Sequence, residues 1–491
     1  MRAKPWRSIE KGLQGKSVDF QINRSKLFTL ILAYIFLYLL ESRNQGIMEK
    51  EIKQLARNVL RIFPNEGRLI KTSLRKLRVQ KELAVSNVMH YATGTTLPDP
   101  RTVYWIDPKK IEYHTALESN SQDWEDWVFP LNRNMKAVQG GEWDALRYRV
   151  ADMRIVHAID ARIWRGGDWQ SSEYYQVAVR QIESGRNLWG CANRADFDKH
   201  CTKIDQLIES ITRDGYLDRA ALDSISVIDT PLGQNEILVN VSRDGFALFQ
   251  DGRHRLAIAL ALGIKKVPVQ VFMRHSEWQV FREFMHRIAN GSGGASKKGF
   301  LYQSPINFDL TDVPAEHSCE DRWDAIKKHV PSAPGAALDI GCNLGYFCHK
   351  LEDLGYSCIG IEYLPDMTYA AKKIARAEKK DFKIVIGDAL ADETLSDVGT
   401  SEFDVVIALN IFHHFIKTES GYFRLQKFMK RIQINVMFFE PHCQSELQMQ
   451  GGFSNPSPDE FVSIIKDWGN FQSAVPIYLA GDGRTVYKLS R

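Results

Sequence analysis

Four side chains that can grip a polar ligand recur at matched places in the C-terminal part of the chain: Asp339, Glu362, Asp388 and Asn410. Each closes a short apolar run. Carboxylates and amides so placed accept hydrogen bonds from hydroxyl and amino groups. Between the first two lies Gly341-Cys342-Asn343-Leu344-Gly345, whose glycines allow a backbone to approach a ligand closely. After Asn410 come His413 and His414, imidazoles able to take or give a proton near neutral pH. Farther upstream stands Asp251-Gly252-Arg253-His254-Arg255, which puts as many as three positive charges into the first turn of a helix. Such a cluster repels the positive end of the helix dipole unless an anion compensates it, so it reads as a phosphate site.

The elements that must position the C-terminal group follow from its periodicity. Ala336 to Ile340 reads as a strand and Tyr346 to Leu354 as a helix. Tyr356 to Glu362 reads as a second strand, Tyr369 to Lys380 as a crossover helix rich in Ala and Lys, and Phe382 to Ile386 as a third strand before Gly387-Asp388-Ala389. Phe403 to Asn410 and Asn435 to Glu440 are the fourth and fifth strands. Strands alternating with helices predict an α/β domain with a mostly parallel, doubly wound sheet, its ligand residues at the strands' carboxyl ends. The loop after the first strand lacks the G-x-G-x-x-G fingerprint of dinucleotide sites.

That loop resembles motif I of the class I S-adenosylmethionine-dependent methyltransferases, with Asn343 where many members carry a middle glycine. The resemblance implies a Rossmann-like fold and S-adenosylmethionine as cofactor. Asp339, Gly341, Asn343 and Gly345 would form the cofactor loop, Glu362 would bind the ribose hydroxyls, Asp388 and Ala389 would meet the adenine, and Asn410 would border the reacting edge. His413 and His414 are the candidate general bases, and Glu440-Pro441-His442 borders the acceptor site. The Asn-Pro-Pro-Tyr sequence of amino-methylating nucleic-acid enzymes is replaced by Ala408-Leu409-Asn410-Ile411, which disfavours a nucleic-acid acceptor.

Upstream, Asp196 to Arg213 predicts an amphipathic helix, and Ile237 to Val241 and Phe246 to Phe249 a hairpin leading into the Asp251–Arg255 turn and a helix ended by Gly263. This block resembles the ParB/sulfiredoxin-like fold, whose members set a Gly-x-x-Arg turn on nucleotide phosphates. Gly252, His254 and Arg255 match the turn, whereas Arg253 replaces sulfiredoxin's reactive cysteine and excludes that redox chemistry. The resemblance implies a nucleoside di- or triphosphate bound with magnesium, with Asp251 as a magnesium ligand; the competing reading is a capped, salt-bridged helix start. Arg274-His275 and Trp278-Gln279 are expected on a further helix lining the same pocket.

At 491 residues, 44% hydrophobic and 25% charged, the chain is an ordinary multidomain globular protein, and a net charge of +4 says nothing strong about nucleic acid, which stays a possible but unfavoured partner. Seven cysteines without CxxC spacing favour a reducing compartment over a disulfide framework and give no metal site. The expected domains are a basic N-terminus with a short apolar segment (1–47), a helical, Trp-rich region (48–195), a smaller α+β ParB/sulfiredoxin-like domain (196–288), a Gly/Ser-rich linker (289–304) and the methyltransferase domain (305–491). The apolar run Leu27 to Leu40 reaches only about 21 Å as a helix, short of a bilayer. It reads as a short or interfacial membrane anchor, as a buried helix, or as sequence upstream of a true start at Met48. The Trp-rich stretch is either packed core or a stacking platform for sugars or bases. The expected protein is cytoplasmic, attached at most to the cytoplasmic membrane face, and methylates a small-molecule or glycan acceptor. The alternative is a nucleotide-gated regulatory protein whose methyltransferase domain is vestigial.

Overall fold

The computed structural model describes residues 97–99, 102–115, 137–186, 188–217, 236–291 and 298–491. The basic N-terminus, the apolar run Leu27 to Leu40 and the Met48 question lie outside the described residues, as do Trp124 and Trp127. Among the described residues, no helix is long and apolar enough to cross a membrane.

Pro100–Arg491 forms one compact unit built on two sheets. The first is made of β1 (Val103–Ile106), β2 (Tyr113–His114), β3 (Val138–Gln139), β4 (Tyr148–Arg149), β5 (Ile237–Val241), β6 (Ala247–Asp251) and β7 (Val267–His275). Helices α1 (Arg154–Trp164), α2 (Glu173–Glu183), α3 (Arg194–Asp214), α4 (Arg253–Ala261) and α5 (Ser276–Gly291) accompany it. The strand order is β1-β7-β5-β6-β2-β4, with β3 also on β7. The predicted hairpin is β5–β6, antiparallel, with Val241 paired to Ala247. Arg274 and His275 end a strand, not the helix expected for them, while Trp278 and Gln279 do lie on a helix, α5.

A short parallel pair, β8 (Leu301–Gln303) and β9 (Ala315–His317), and helix α6 (Glu320–Ile326) lead into the second sheet. Its elements are β10 (Ala336–Ile340), α7 (Tyr346–Asp353), β11 (Ser357–Glu362), α8 (Pro365–Ala377), β12 (Lys383–Ile386), α9 (Asp392–Val398), β13 (Glu402–Leu409), α10 (Glu419–Arg431), β14 (Gln433–Glu440), α11 (Pro458–Trp468), β15 (Ser473–Leu479) and β16 (Thr485–Ser490). The order is β12-β11-β10-β13-β14-β16-β15, parallel from β12 to β14, with β16 antiparallel to β14. The chain reverses its direction of winding between β10 and β13. A crevice at that switch point, beyond the strands' carboxyl ends, is where ligands bind in open α/β sheets.

The two sheets are not separate bodies on a tether. Helix α8 is alanine-rich because it is covered on two sides. Ala371 and Ala375 pack on the second sheet's core, while Met367, Ala370, Ile374 and Ala377 join the core of the first. Leu344, from the loop after β10, joins that same first core. The turn between β5 and β6 seals the contact: Gly245 takes a positive φ of 88°, and a Cβ there would lie 2.5 Å from the Trp278 ring and 2.7 Å from Ala377. Around this seam Asp244 pairs with Arg376 at 2.9 Å, Lys379 with Glu112 at 2.6 Å, and Lys110 with Glu378. Just beyond the Gly/Ser stretch, buried Asp309 binds Arg274 at 2.6 Å and accepts from Trp278 Nε1 at 3.0 Å. Those two residues therefore pin the junction instead of lining the Arg255 turn, which corrects the placement expected for them.

Candidate functional site

The loop after β10 is held open by three left-handed residues: Gly341 at φ 72°, Asn343 at φ 50° and Gly345 at φ 78°. Asparagine tolerates that region better than other side-chain-bearing residues, which is why Asn343 can stand in for a glycine. A Cβ on Gly341 would come within 2.8 Å of Ile411, so that position has no room for a side chain. The Gly341 and Cys342 amides both donate to the Ile361 carbonyl, at 2.9 and 3.0 Å, tying the loop to β11.

Glu362, buried at the end of β11, braces the loop from the other side. Its Oε2 accepts from the Asn343 amide and its Oε1 from the Leu364 amide, both at 2.8 Å. Burial nevertheless pushes its carboxyl above the usual range, with those amides opposing. Each oxygen retains a lone pair for a ligand hydroxyl. Asp339 is a harder case. It is 3% exposed and holds only a weak contact from Cys348 Sγ at 3.6 Å, and burial pushes its carboxyl up to about 7. A buried acid with no cation beside it is poised to pair with one.

Asp388, after β12, is less committed to the ligand than its position suggested. One oxygen accepts from the Leu390 amide at 2.9 Å, and the other pairs with Arg424 at 2.7 Å; Ala389 beside it is buried. Asn410 closes β13 at φ 52°. Its Nδ2 donates to the Tyr302 hydroxyl at 2.8 Å, leaving Oδ1 buried without a partner.

His413 and His414 follow on a single 3-10 turn with ring centroids 4.0 Å apart, and His442 lies 5.8 Å from His413. His413 is buried with neither ring nitrogen hydrogen-bonded, and burial pushes it down to about 3. It is neutral at physiological pH. That makes it a weak proton acceptor but a good hydrogen-bonding group.

At the switch point a cavity of ≈ 30 Å³ is bounded by Asp339 of β10 and Gly341 of the loop after it, Glu440 at the end of β14, Arg322 of α6, and Tyr302, Gln303 and His317 of the β8–β9 pair. Arg322 is committed to carboxylates, Glu440 and Asp482, each at 2.8 Å. Sequence reasoning missed Tyr302, Gln303, His317 and Arg322. Tyr302 and Gln303 fell within the stretch assigned to the linker, and the signal there was slight: one three-residue alternation, Leu301-Tyr302-Gln303.

The upstream turn differs from its charge-based reading. Gly252 does cap α4 in a left-handed conformation, φ 95°, and Asp251 Oδ1 accepts the Gly252 amide at 2.7 Å. His254, however, is buried in an aromatic cluster, its Nε2 paired with the Tyr174 hydroxyl at 3.1 Å and its ring 5.2 Å from His200. Burial and its cationic neighbours push it well below the ordinary histidine range, so it is neutral. The three-charge repulsion reduces to two arginines. Arg253 is itself buried, with its guanidinium over the Trp189 ring at 5.9 Å. Arg255 is partly buried. Trp143 and Trp169 are core, whereas Trp105 and Trp164 are exposed at 45% and 65%.

Residues 338–433 match the family described as a methyltransferase domain. Among curated proteins, the O-antigen chain terminator bifunctional methyltransferase/kinase WbdD of Escherichia coli is 25% identical over 202 residues, covering 38% of this chain and 28% of that protein. The tRNA U34 carboxymethyltransferase of Desulfotalea psychrophila is 28% identical over 185 residues, covering 37% of this chain and 55% of that protein. A crystal structure of WbdD aligns with a TM-score of 0.34 at 20% identity, covering 40% of this chain and 45% of the other. The chain thus spans little more than a quarter of the length of the WbdD protein it matches. It contains a methyltransferase domain with the Rossmann-like sheet expected for one.

Proposed function

We propose that this protein is an S-adenosylmethionine-dependent methyltransferase acting on a small-molecule or glycan-type acceptor, with an accessory phosphate-binding module upstream. The observation that carries the reading is the switch-point site: a left-handed loop too tight for a side chain, braced by Glu362, beside a buried and unpaired Asp339. Orphaned acceptor oxygens on Asn343 and Asn410, with the open lone pairs of Glu362, fit a ligand bearing hydroxyl and amino groups on a cationic body. S-adenosylmethionine supplies an electrophilic methyl group on a sulfonium. Against it, Glu362 would hold the ribose hydroxyls, Asp388 and Ala389 the adenine, and Asp339 would supply the compensating charge. The remaining work is positioning an acceptor nucleophile in line and, if it arrives protonated, relieving it of the proton. His413 and His414 follow Asn410 on the next turn and Glu440 lines the cavity; His413, held neutral by burial, would orient the acceptor by hydrogen bonding, leaving His414 as the candidate base.

The relatives' names divide between an O-antigen chain and a tRNA base. Ala408-Leu409-Asn410-Ile411 at the end of β13 favours the former kind of acceptor. The upstream module, read as ParB/sulfiredoxin-like, would bind a nucleoside phosphate at Asp251, Gly252, Arg253 and Arg255, with magnesium at Asp251; His254 supports that turn from the core. The protein would work in the cytoplasm or on the cytoplasmic membrane face, where its donor is made. A nucleotide-gated regulator with an inactive methyltransferase domain is the competing reading.

The test is mass spectrometry of small molecules that co-purify with the full-length protein, before and after addition of isotope-labelled methyl donor. Label entering a sugar or other small molecule supports the proposal. Donor that binds without any label transfer, alongside nucleotide-dependent binding of DNA or a partner, supports the regulator.

A further inference from the structure

We propose that the surface formed by α10 and the loop after β14 docks on a membrane bearing anionic lipid, with Leu447, Phe423 and Phe453 entering the lipid interface and α10 facing the headgroups.

Three large apolar side chains stand exposed on this surface: Leu447 at 80%, Phe423 at 53% and Phe453 at 49%. Phe423 and Phe453 form one patch. Their ring centroids lie 6.3 Å apart, and Tyr422 meets each edge-on at 5.5 Å. Lys417 ties the loop that carries Leu447 to that patch. Its carbonyl accepts the Phe453 amide at 2.9 Å, and its Nζ donates to Gln448 Oε1, next to Leu447, at 3.1 Å. All of this lies toward the strands' carboxyl ends, because the loop follows β14 and α10 follows β13. Lys417 Nζ also reaches His414 Nδ1 at 3.5 Å, so the patch adjoins the turn that bears the candidate base.

The charges select the occupant. α10 exposes four cations, Arg424, Lys427, Lys430 and Arg431, against one acid, Glu419. Asp388 offsets Arg424 at 2.7 Å, and Asp392 is shared between Lys427 and Arg431, so a positive surplus remains. Cations and apolar side chains exposed side by side suit the boundary between anionic headgroups and acyl chains. A single-stranded nucleic acid would use the rings and the charges, but it offers nothing to aliphatic Leu447, the most exposed of the three. The apolar run Leu27 to Leu40, one reading of which is an interfacial anchor, would bring the same chain to the same surface.

The experiment uses the full-length protein with vesicles of about one part phosphatidylglycerol to two of phosphatidylcholine, beside phosphatidylcholine alone. An environment-sensitive fluorophore is placed on Leu447→Cys in a Cys443→Ser background, the remaining cysteines being buried. It should brighten on the mixed vesicles, less on phosphatidylcholine, and less again as salt is raised. Phe423→Ser combined with Phe453→Ser should lower partitioning into the mixed vesicles about tenfold or more at an unchanged melting temperature. The fluorophore gives the same reading if that double variant does not fold. Protein that floats with vesicles while the fluorophore stays silent is attached through another segment, which would overturn the proposal, as would no partitioning at all. Wild-type partitioning in the double variant would overturn it too. A fluorophore that responds to oligouridylate and not to vesicles would reassign the patch to nucleic acid. A dimer dissolved by the two serines, without vesicle binding, would reassign it to a second copy of the chain.

Discussion

If Asp339 is the donor's counter-charge, as proposed, donor binding should depend on pH. With its carboxyl at about 7 against an unfolded value of 3.8, the folded apoprotein holds a proton there through most of the acidic range. Its neighbours supply no compensation: Cys348 donates weakly from 3.6 Å and Glu362 is a like charge. The folded value is the raised one. The stability it confers is therefore complete below 3.8 and is lost as pH climbs through about 7, a swing of about 4 kcal/mol. A cationic ligand beside the ionised carboxylate reverses that loss, so binding should expel the proton. The ionised fraction falls from about nine-tenths at pH 8 to about one-tenth at pH 6, and affinity for S-adenosylmethionine should fall about tenfold over that span. Asp339→Asn, which cannot ionise, should show a nearly flat profile near the weaker limit. The donor's own amino group titrates at about 8, but it contributes equally to both proteins, so their difference isolates Asp339. Titration calorimetry in two buffers of different ionisation heat at about pH 6.5 reads proton release directly. Matching pH slopes in wild type and Asp339→Asn, or no proton release, would refute the assignment of Asp339 as the ligand's counter-charge.

Three further outcomes are expected. Gly341→Val should abolish donor binding, since the new Cβ meets Ile411 and the left-handed backbone is strained, while Glu362→Ala should weaken it by roughly 1.5–3 kcal/mol; unchanged calorimetric affinity in both variants removes the site from this loop. In the upstream module, a saturating nucleoside triphosphate with magnesium should raise the melting temperature, a gain of about 2.7 kcal/mol at a hundredfold excess over Kd. Arg255→Ala should erase that shift without altering donor binding; if millimolar ATP, CTP and GTP all leave the melting temperature unmoved, Arg255 only stabilises the helix start. Finally, Ile374→Ala should cost the whole unit about 2–5 kcal/mol in denaturant unfolding, because Ile374 faces the first sheet's core, and a fragment of residues 300–491 should be less stable than the parent. A fragment as stable as the parent would show that the shared core contributes little.

What could be read from the chain alone is what local chemistry determines. The run of strands and helices from β10 to β14 follows from alternating periodicity, and the loop at Gly341 and Gly345 follows from the backbone freedom it needs. The hairpin before Asp251 and the helix beginning at Arg253 were likewise local events, set by a Gly245 turn and a left-handed Gly252 cap. Short-range rules do not say what lies opposite a side chain. The alanines of α8 looked like helix propensity and are in fact the small residues of a helix buried on two faces. His254 looked like a third cation and is neutral because Tyr174 of α2, Trp189 of the following loop and His200 of α3 surround it. Asp388 looked like a free acid until α10 delivered Arg424. Tyr302 and Gln303 had no motif at all. Their place on the cavity wall comes from a three-residue strand pairing with β9, Leu301 against Ala315 and Gln303 against His317, a contact between separated parts of the chain that no local pattern announces.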